Sequence, residues 1–387
     1  MILADRLSQL GTETAFDVLA RAQKLKETGQ DIINLGIGQP DFSTPENVVA
    51  AAQKALRDGH HGYTPANGIL PLREAVAADM AQRRDISVDP DRIVIVPGGK
   101  VTMYFAITMF GEPGAEIMYP DPGFPIYRSV IEFSGAKAVP IPLYEESGFS
   151  FSAEEVLAKI TARTRLIIVN SPANPTGGVV PKEELDKLVA GLAAHPDVVV
   201  MSDEIYARMV YDGVPHASLT AYPEIENRLI LLDGWSKTYA MTGWRLGWAV
   251  WPENLVAHAT RLAINIHSCV NAATQYAGIE ALTGSQDMVE RMVAAFDERR
   301  GIIVDRLNDL PGFRCARPGG AFYAFPNIEG TGKPAGELQD RLLTEAGVAI
   351  IAGTSFGDQG EGYIRFSYAN SIENIERAIE RIDAFLA

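Results

Sequence analysis

Cysteine is scarce in this sequence of 387 residues, which contains only Cys269 and Cys315. Two thiols are too few for a disulfide framework, and they lack the clustered spacing of a zinc site, so we expect no metal centre. Long apolar runs are also missing, since no uninterrupted stretch approaches the roughly 20 residues needed to span a bilayer. These absences exclude a disulfide-rich scaffold and an integral membrane protein.

Basic residues are outnumbered: 34 Lys and Arg stand against 49 Asp and Glu, which gives a net charge of −15. No basic cluster could follow a phosphate backbone, which argues against nucleic acid as a partner. Asp5 and Arg6 interrupt the N-terminus where a secretory signal would need an apolar stretch, so we expect a cytoplasmic protein. Apolar residues make up 47% and charged residues 21%, as in ordinary globular proteins, and the length favours two domains.

Short β-branched runs alternate with longer amphipathic stretches between about residues 90 and 250, a pattern typical of βαβ units. Seven runs predict strands, at 92–99, 115–120, 136–143, 164–172, 197–204, 228–237 and 245–252. The pattern predicts an α/β fold whose large domain is a mostly parallel seven-stranded sheet covered by helices.

The last hundred residues have a different pattern. A helical stretch covers 284–308, short strands are expected around 319–326 and 363–369, and a terminal helix is expected to begin near Ser371. This predicts a smaller α+β domain. We therefore divide the chain into an N-terminal arm with the first part of the small domain (1–45), a large cofactor-binding domain (46–283) and a C-terminal small domain (284–387).

Residues able to do chemistry follow several of the predicted strands. Gly99 and Lys100, Asn174, Asp203 and Lys237 each come shortly after a strand-like run. Ligands of open α/β sheets bind at the carboxyl ends of the strands, so these segments are expected to converge. The Gly98–Gly99 turn opens a helical pattern, and it is either a phosphate-binding turn or an ordinary tight turn.

Lys237 lies in an apolar and aromatic neighbourhood, LLDGWSKTYAMTGWRLGW. Burial favours the neutral amine, which is the nucleophile needed for a Schiff base with a carbonyl cofactor, although a lysine at the edge of the core could also extend to water. Asp203 is either a structural carboxylate or the partner of a protonated ring nitrogen. Arg245 could bind a phosphate, and Arg365 could bind a carboxylate in two places.

Seven motifs extend this pattern over nearly the whole chain. They are INLGIGQPDF (33–42), YTPANGILPLREAV (63–76), NSPANPTGG (170–178), SDEIYARMVYDG (202–213), SKTYAMTGWRLGW (236–248), GGAFYAF (319–325) and IRFSYA (364–369). In this order and spacing the sequence resembles the fold type I pyridoxal-phosphate enzymes of the class I/II aminotransferase family.

The resemblance implies a role for each matching residue. Lys237 would be the Schiff-base lysine and proton shuttle, and Asp203 the partner of the pyridine nitrogen. Tyr206 and Asn174 would bind the phenolic oxygen of the cofactor, and Phe124 would cover its ring face. The phosphate would be bound by the backbone N–H groups of Gly99 and Lys100 and by the side chain of Arg245. Tyr63 would reach the phosphate from the neighbouring subunit. The substrate α-carboxylate would be held by Arg365, Asn174 and the backbone of Gly38.

The sequence departs from the family pattern at Gly234, where many members have a phosphate-binding serine. Whether Ser236 replaces that serine is left open. A side-chain pocket drawn from Phe16, Ile37, Tyr63 and Phe124 favours neutral or aromatic substrates, whereas a dicarboxylic substrate would need a second cation, for which Lys100 is a candidate.

The implied activity is transfer of the amino group of an L-amino acid to a 2-oxo acid such as 2-oxoglutarate, by a ping-pong mechanism in a homodimer with shared active sites. Two alternatives remain open. One is a pyridoxal-phosphate β-lyase acting on a sulfur amino acid, and the other is a non-catalytic regulator on the same fold.

Overall fold

Strands and helices alternate through residues 3–387, the part of the chain that the computed structural model describes. The strands are β1 (Ile33–Asn34), β2 (Ile93–Val96), β3 (Glu116–Asp121), β4 (Lys137–Pro142), β5 (Thr164–Asn170), β6 (Val199–Asp203), β7 (Leu229–Gly234), β8 (Gly247–Val250), β9 (Tyr323–Ala324), β10 (Val348–Ala349), β11 (Ile351–Ala352) and β12 (Ile364–Ser367). The α-helices are α1 (Thr14–Glu27), α2 (Glu46–Arg57), α3 (Leu70–Arg84), α4 (Lys100–Phe110), α5 (Ile126–Ser134), α6 (Ala153–Ala158), α7 (Lys182–Leu192), α8 (Trp235–Thr238), α9 (Glu253–Ile266), α10 (Ala272–Thr283), α11 (Asp287–Asp309), α12 (Ala335–Arg341) and α13 (Ile372–Leu386).

Seven strands form one large sheet in the order β2-β8-β7-β6-β5-β3-β4. Strand β8 runs antiparallel to both of its neighbours, β2 and β7, and the remaining pairs are parallel. The predicted mostly parallel seven-stranded sheet is confirmed. The strands end earlier than their apolar runs where Gly or Pro begins a turn, as at Pro97 and Gly98 after β2.

The large sheet is buried on both faces except at its edge strand β4, which is partly exposed. Every residue of β2 is buried, and Val94 and Val96 pack in one apolar cluster while Ile93 and Ile95 pack in another. Successive side chains of a strand point to opposite faces, so both faces of β2 are covered by helices. This explains why the strands read as continuous apolar runs rather than as alternating patterns.

The smaller strands make two further sets. β1 pairs in parallel with β10, and β11, β12 and β9 form an antiparallel sheet. Residues 33–34 are thereby joined to residues 348–349 near the other end of the chain. Helix α13 begins after Ser371, whose side chain accepts a hydrogen bond from the backbone N–H of Asn374, so the predicted start of the terminal helix is confirmed.

Helix α1 has no counterpart among the elements expected from the sequence. Only Val18 and Ala22 are buried on its 14 residues, and no side chain caps its N-terminus. Its apolar stripe is too sparse to stand out as a period of 3.6 residues. No helix within residues 3–387 is long and apolar enough to cross a membrane, and no group of three or more His, Cys, Asp or Glu side chains there could hold a metal ion.

Candidate active site

A cavity of about 550 Å³ lies at the carboxyl ends of β5, β6 and β7. Its far side is completed by Tyr323 of β9 and Arg365 of β12. Every site residue expected from the sequence lines it except Tyr63; these are Gly38, Gly99, Lys100, Phe124, Asn174, Asp203, Tyr206, Ser236, Lys237, Arg245 and Arg365. The structure therefore brings together segments that are distant in sequence.

The register of β5 and β6 holds Asn174 in place. Asn170 and Asp203, the last residues of the two strands, are direct partners in the ladder. The Asn170 amide donates to the backbone carbonyl of Asp203 at 3.0 Å, and its side-chain oxygen accepts from the backbone N–H of Asn174 at 3.1 Å. Asn174 is thus held through its own backbone, and its side chain lines the cavity.

Asp203 is buried at the floor of the cavity. Its carboxylate accepts a hydrogen bond from the hydroxyl of Tyr127 at 2.6 Å and from the backbone N–H of Ile205 at 3.2 Å. Burial raises the pKa of Asp203 to about 6, and the neighbouring carboxylates of Asp233 and Glu204 act in the same direction. A buried carboxylate of this kind is stabilised by a proton or by a cationic partner, as a protonated ring nitrogen would be.

Lys237 lies on the single turn of α8, which follows β7 directly. Its ammonium group donates a hydrogen bond to the backbone carbonyl of Gly38, and it lies 5.9 Å from the ring centre of Tyr206. Burial, together with the nearby guanidinium of Arg365, lowers the pKa of Lys237 to about 8. A larger fraction of neutral amine is present at neutral pH than for an exposed lysine, which makes this side chain a competent nucleophile.

The turn before α4 forms an anion-binding cradle. Within residues 3–387 the backbone N–H groups of Gly99 and Lys100 donate to no carbonyl, so both are available at the helix N-terminus. A Cβ on Gly98, which has a φ of +91°, would lie 2.2 Å from a terminal nitrogen of Arg245. Glycine at this position therefore lets the guanidinium approach the free N–H groups, and the cradle suits a phosphate.

The structure gives a reason for the departure at Gly234. A Cβ there would lie 2.9 Å from Cα of Gly247 and 3.2 Å from the carbonyl oxygen of Leu246, both on the neighbouring chain segment. A serine would not fit without a backbone shift, because β8 packs too closely against β7. Ser236, by contrast, lines the cavity two residues further on.

The opposite end of the cavity is built around Arg365. Its guanidinium donates to the side-chain oxygen of Asn174 at 2.8 Å and to the carbonyl of Gly36, and it lies between the rings of Tyr323 and Phe356, 4.7 and 4.6 Å from their centres. These contacts fix the orientation of the buried, planar guanidinium. The geometry suits a carboxylate bound through two parallel hydrogen bonds.

Three residues of the site were missed from the sequence. Tyr127, which bonds Asp203, follows Phe124 by one helical turn in GFPIY, a spacing that could have indicated it. Glu13 forms an ion pair with Lys100, and Tyr323 bonds Tyr206 at 2.7 Å. Neither Glu13 nor Tyr323 follows a strand of the large sheet, so the reasoning from strand ends could not reach them.

Tyr63 lies outside the cavity of its own chain. Its side chain is 94% exposed, and it contributes nothing to the lining described above. The other three residues expected in the side-chain pocket, Phe16, Ile37 and Phe124, do line the cavity. The role expected for Tyr63 depends on a second subunit and stays a prediction.

The comparisons with known proteins agree with this geometry. The family model for aminotransferase class I and II matches residues 30–382. An aspartate aminotransferase of Pyrococcus horikoshii is 40% identical over 99% of this chain and 97% of its own length, and an aromatic-amino-acid aminotransferase of Thermococcus litoralis is 38% identical over 100% and 98%. The crystal structure of an aspartate aminotransferase from Rhizobium meliloti matches with a TM-score of 0.95 and 33% identity, over 100% of this chain and 99% of that one. The chain belongs to the aminotransferase class I and II family and is a pyridoxal-phosphate-dependent transaminase.

Proposed function

We propose that this enzyme moves the amino group of a dicarboxylic L-amino acid to a 2-oxo acid, with Lys237 as the lysine that binds the cofactor covalently. The observation that carries this proposal is the position of Lys237. Its amine, with a pKa lowered to about 8, shares one cavity with the buried carboxyl group of Asp203. A phosphate cradle and the Arg365 guanidinium lie at opposite ends of the same cavity.

The donor set fits pyridoxal phosphate. Asp203 would bind the ring nitrogen, and Tyr206 with Asn174 would hydrogen-bond the phenolic oxygen. Phe124 would cover a ring face, and the phosphate would be held by the free N–H groups of Gly99 and Lys100, the hydroxyl of Ser236 and the guanidinium of Arg245. When bound, the cofactor supplies an aldehyde that condenses with amines and a ring that withdraws electrons from the substrate Cα.

Lys237 then has a second task as a general base. With the cofactor bound, the neutral amine of Lys237 would take the proton from the substrate Cα, and the resulting ammonium group would hold that proton until it is given back. A pKa of about 8 suits both the uptake and the release of the proton, because an efficient acid–base group titrates near the working pH. Asp203 would favour a protonated ring nitrogen, since a buried carboxylate favours a cationic partner.

The substrate class rests on Lys100. Its ammonium pairs with Glu13 at the cavity wall and lies 5.5 Å from the ring centre of Phe124 and 5.9 Å from that of Phe16. With Arg365 binding the α-carboxylate, Lys100 is the second cation that a distal carboxylate requires. The relatives named above include aspartate and aromatic-amino-acid aminotransferases, and the rings of Phe124 and Phe16 would pack against the second kind of side chain.

A homodimer and a cytoplasmic location complete the proposal. Tyr63 is exposed in its own chain, as a side chain that serves a neighbouring cavity must be, and Arg245 is exposed beside the cradle. Mixing Lys237→Ala with Tyr63→Phe subunits tests the arrangement. If the cavities are shared, each mixed dimer contains one cavity in which both residues are wild type. The mixture then recovers part of the activity that both parents have lost.

The first experiment follows the cofactor by its absorption. Pyridoxal phosphate should give the purified protein a visible band that bleaches with aspartate and returns with 2-oxoglutarate. Borohydride reduction followed by mass spectrometry should place the label on Lys237 and leave Lys237→Ala unlabelled, while Lys187→Ala, an exposed control, behaves as wild type. Labelling of Lys237→Ala at wild-type yield would refute the assignment, and release of ammonia and pyruvate without an acceptor would favour a β-lyase.

A further inference from the structure

Tyr323 contacts three parts of the site that the mechanism uses separately. Its hydroxyl lies 2.7 Å from the hydroxyl of Tyr206, and its ring centre lies 4.7 Å from the guanidinium of Arg365. The hydroxyl also lies against Gly38, where a Cβ would meet the Tyr323 oxygen at 2.2 Å. Gly38 in turn accepts the hydrogen bond of Lys237. No role was assigned to Tyr323 above.

We propose that Tyr323 is a positioning residue, whose hydroxyl donates to the Tyr206 oxygen so that the Tyr206 proton points into the cavity, and whose ring holds the Arg365 guanidinium flat. The proposal deepens the proposed function and rests on it, because Tyr206 is taken to donate to the phenolic oxygen of the cofactor.

The geometry allows either hydroxyl to donate, and the direction proposed here follows from the task assigned to Tyr206. Burial raises the pKa of both Tyr206 and Tyr323 above the ordinary value, so each hydroxyl carries one proton. A phenol donates once. If the Tyr206 hydroxyl donates its proton to an acceptor in the cavity, the 2.7 Å hydrogen bond between the two hydroxyls can form only with Tyr323 as the donor. A donor at its oxygen polarises Tyr206 and makes it a stronger donor in turn.

The ring of Tyr323 has an independent task. Arg365 lies between Tyr323 and Phe356, and its hydrogen bonds to Asn174 and Gly36 fix only two edges of the guanidinium. Aromatic faces on both sides restrict rotation of the guanidinium plane and contribute cation–π attraction. Phenylalanine at position 323 would keep this contact and lose the hydroxyl, whereas leucine would lose both.

This difference separates the two tasks experimentally. Tyr323→Phe should raise the pKa at which the visible band of the lysine-bound cofactor titrates by ~0.5 unit, because a weaker donor stabilises the anionic phenolic oxygen less. Its affinity for a 2-methyl amino acid, which has no Cα proton to lose, should stay within about twofold. Tyr323→Leu should show the same spectral shift and bind the 2-methyl amino acid about five- to tenfold more weakly.

Three further variants keep the test specific. Tyr368→Phe removes another buried hydroxyl from the same core, one that bonds the carbonyl of Ala321 at 3.1 Å and lies outside the cavity lining, so the band pKa should not move. Tyr206→Phe should raise the band pKa more than Tyr323→Phe does. The double variant Tyr206→Phe/Tyr323→Phe should add nothing to the Tyr206→Phe shift, because the second hydroxyl acts through the first.

The outcomes are distinguishable from failure of the proposed function. An unchanged band pKa in Tyr323→Phe, equal shifts in Tyr323→Phe and Tyr368→Phe, or additive shifts in the double variant would overturn the hydroxyl's role while the wild-type band still supports Lys237. Equal affinities of Tyr323→Leu and Tyr323→Phe would overturn the ring's role. A wild-type protein with no titrating band would remove the proposed function and this inference together.

Discussion

Replacing Lys100 by methionine tests which substrate class the cavity is built for. The substitution keeps most of the length and apolar stem of the side chain and removes its charge. We expect Lys100→Met to lower kcat/KM for aspartate far more than for phenylalanine. The reason is that aspartate has a second carboxylate for Lys100 to bind, and phenylalanine has none.

The magnitude follows from the exposure of the ion pair. A hydrogen bond to a charged group contributes about 1.5–3 kcal/mol, but the Lys100 side chain is 43% exposed and is screened by water, which reduces its contribution to about 1–2 kcal/mol. This corresponds to a loss of about five- to thirtyfold for aspartate. For phenylalanine the substitution would remove only the cation–π attraction between the Lys100 ammonium and the aromatic rings near it. This attraction is about 0.5–1 kcal/mol, which corresponds to a two- to fivefold loss of kcat/KM.

Glu13 needs its own control, because in Lys100→Met the carboxylate of Glu13 has lost its ion-pair partner and repels an acidic substrate. The double variant Lys100→Met/Glu13→Gln removes that repulsion, and Glu13→Gln alone frees Lys100. Glu13→Gln should therefore raise the preference for aspartate over phenylalanine.

The assay is the half-reaction, in which bleaching of the visible band is followed with one amino acid and no acceptor. The carboxylates of 2-oxoglutarate then play no part. Equal losses for aspartate and phenylalanine in Lys100→Met, or a lower aspartate preference in Glu13→Gln, would show that Lys100 does not select the substrate.

Three further predictions concern other parts of the molecule. Arg365→Leu should raise KM for amino acids by about tenfold or more while cofactor binding, measured by the visible band, is retained; an unchanged KM would argue against the carboxylate role. Capture of pyridoxal phosphate by the cofactor-free protein needs the neutral amine of Lys237, so its rate should rise with pH up to about 8 and then level off, and a rate still climbing at pH 10 would contradict the lowered pKa. Arg84→Met removes the guanidinium that pairs with the buried carboxylates of Glu204 and Asp233 and should reduce the free energy of unfolding in urea by about 3–5 kcal/mol, against less than about 1 kcal/mol for Arg21→Met at the exposed pair with Asp340; similar losses in the two variants would refute this.

The sequence predicted the large sheet and the strand-end residues of the cavity for one physical reason, whereas Gly38, Phe124 and Tyr206 were expected only from the family resemblance. Buried parallel strands read as apolar runs, and their carboxyl ends meet at one edge, so residues such as Asp203 and Lys237 could be brought together without any coordinates. The domain limits at 45/46 and 283/284 stay predictions. Helix α1 was missed because its buried positions are too few to give a helical period.

Contacts between distant segments were beyond this reasoning. The pairing of Glu13 with Lys100 depends on how a weakly patterned helix docks, and the bond between Tyr323 and Tyr206 depends on how β9 lies beside the large sheet. The lack of space for a side chain at Gly234 likewise depends on the distance between β7 and β8. Spacing along the chain determines which residues follow a strand, but only packing determines which side chains face them.

The balance of charge in the cavity links ligand binding to the protonation of Lys237. The lining collects cationic side chains, Lys100, Lys237, Arg245 and Arg365, against two carboxyl groups, Glu13 and Asp203. The other three cations lower the pKa of Lys237, so in the free protein a larger fraction of its amine is neutral than for an exposed lysine. A phosphate at Arg245 and a carboxylate at Arg365 would offset two of those cations and raise the same pKa. Lys237 would therefore be a stronger base once both anions are bound, which is when the proposed mechanism has it take the proton from the substrate Cα.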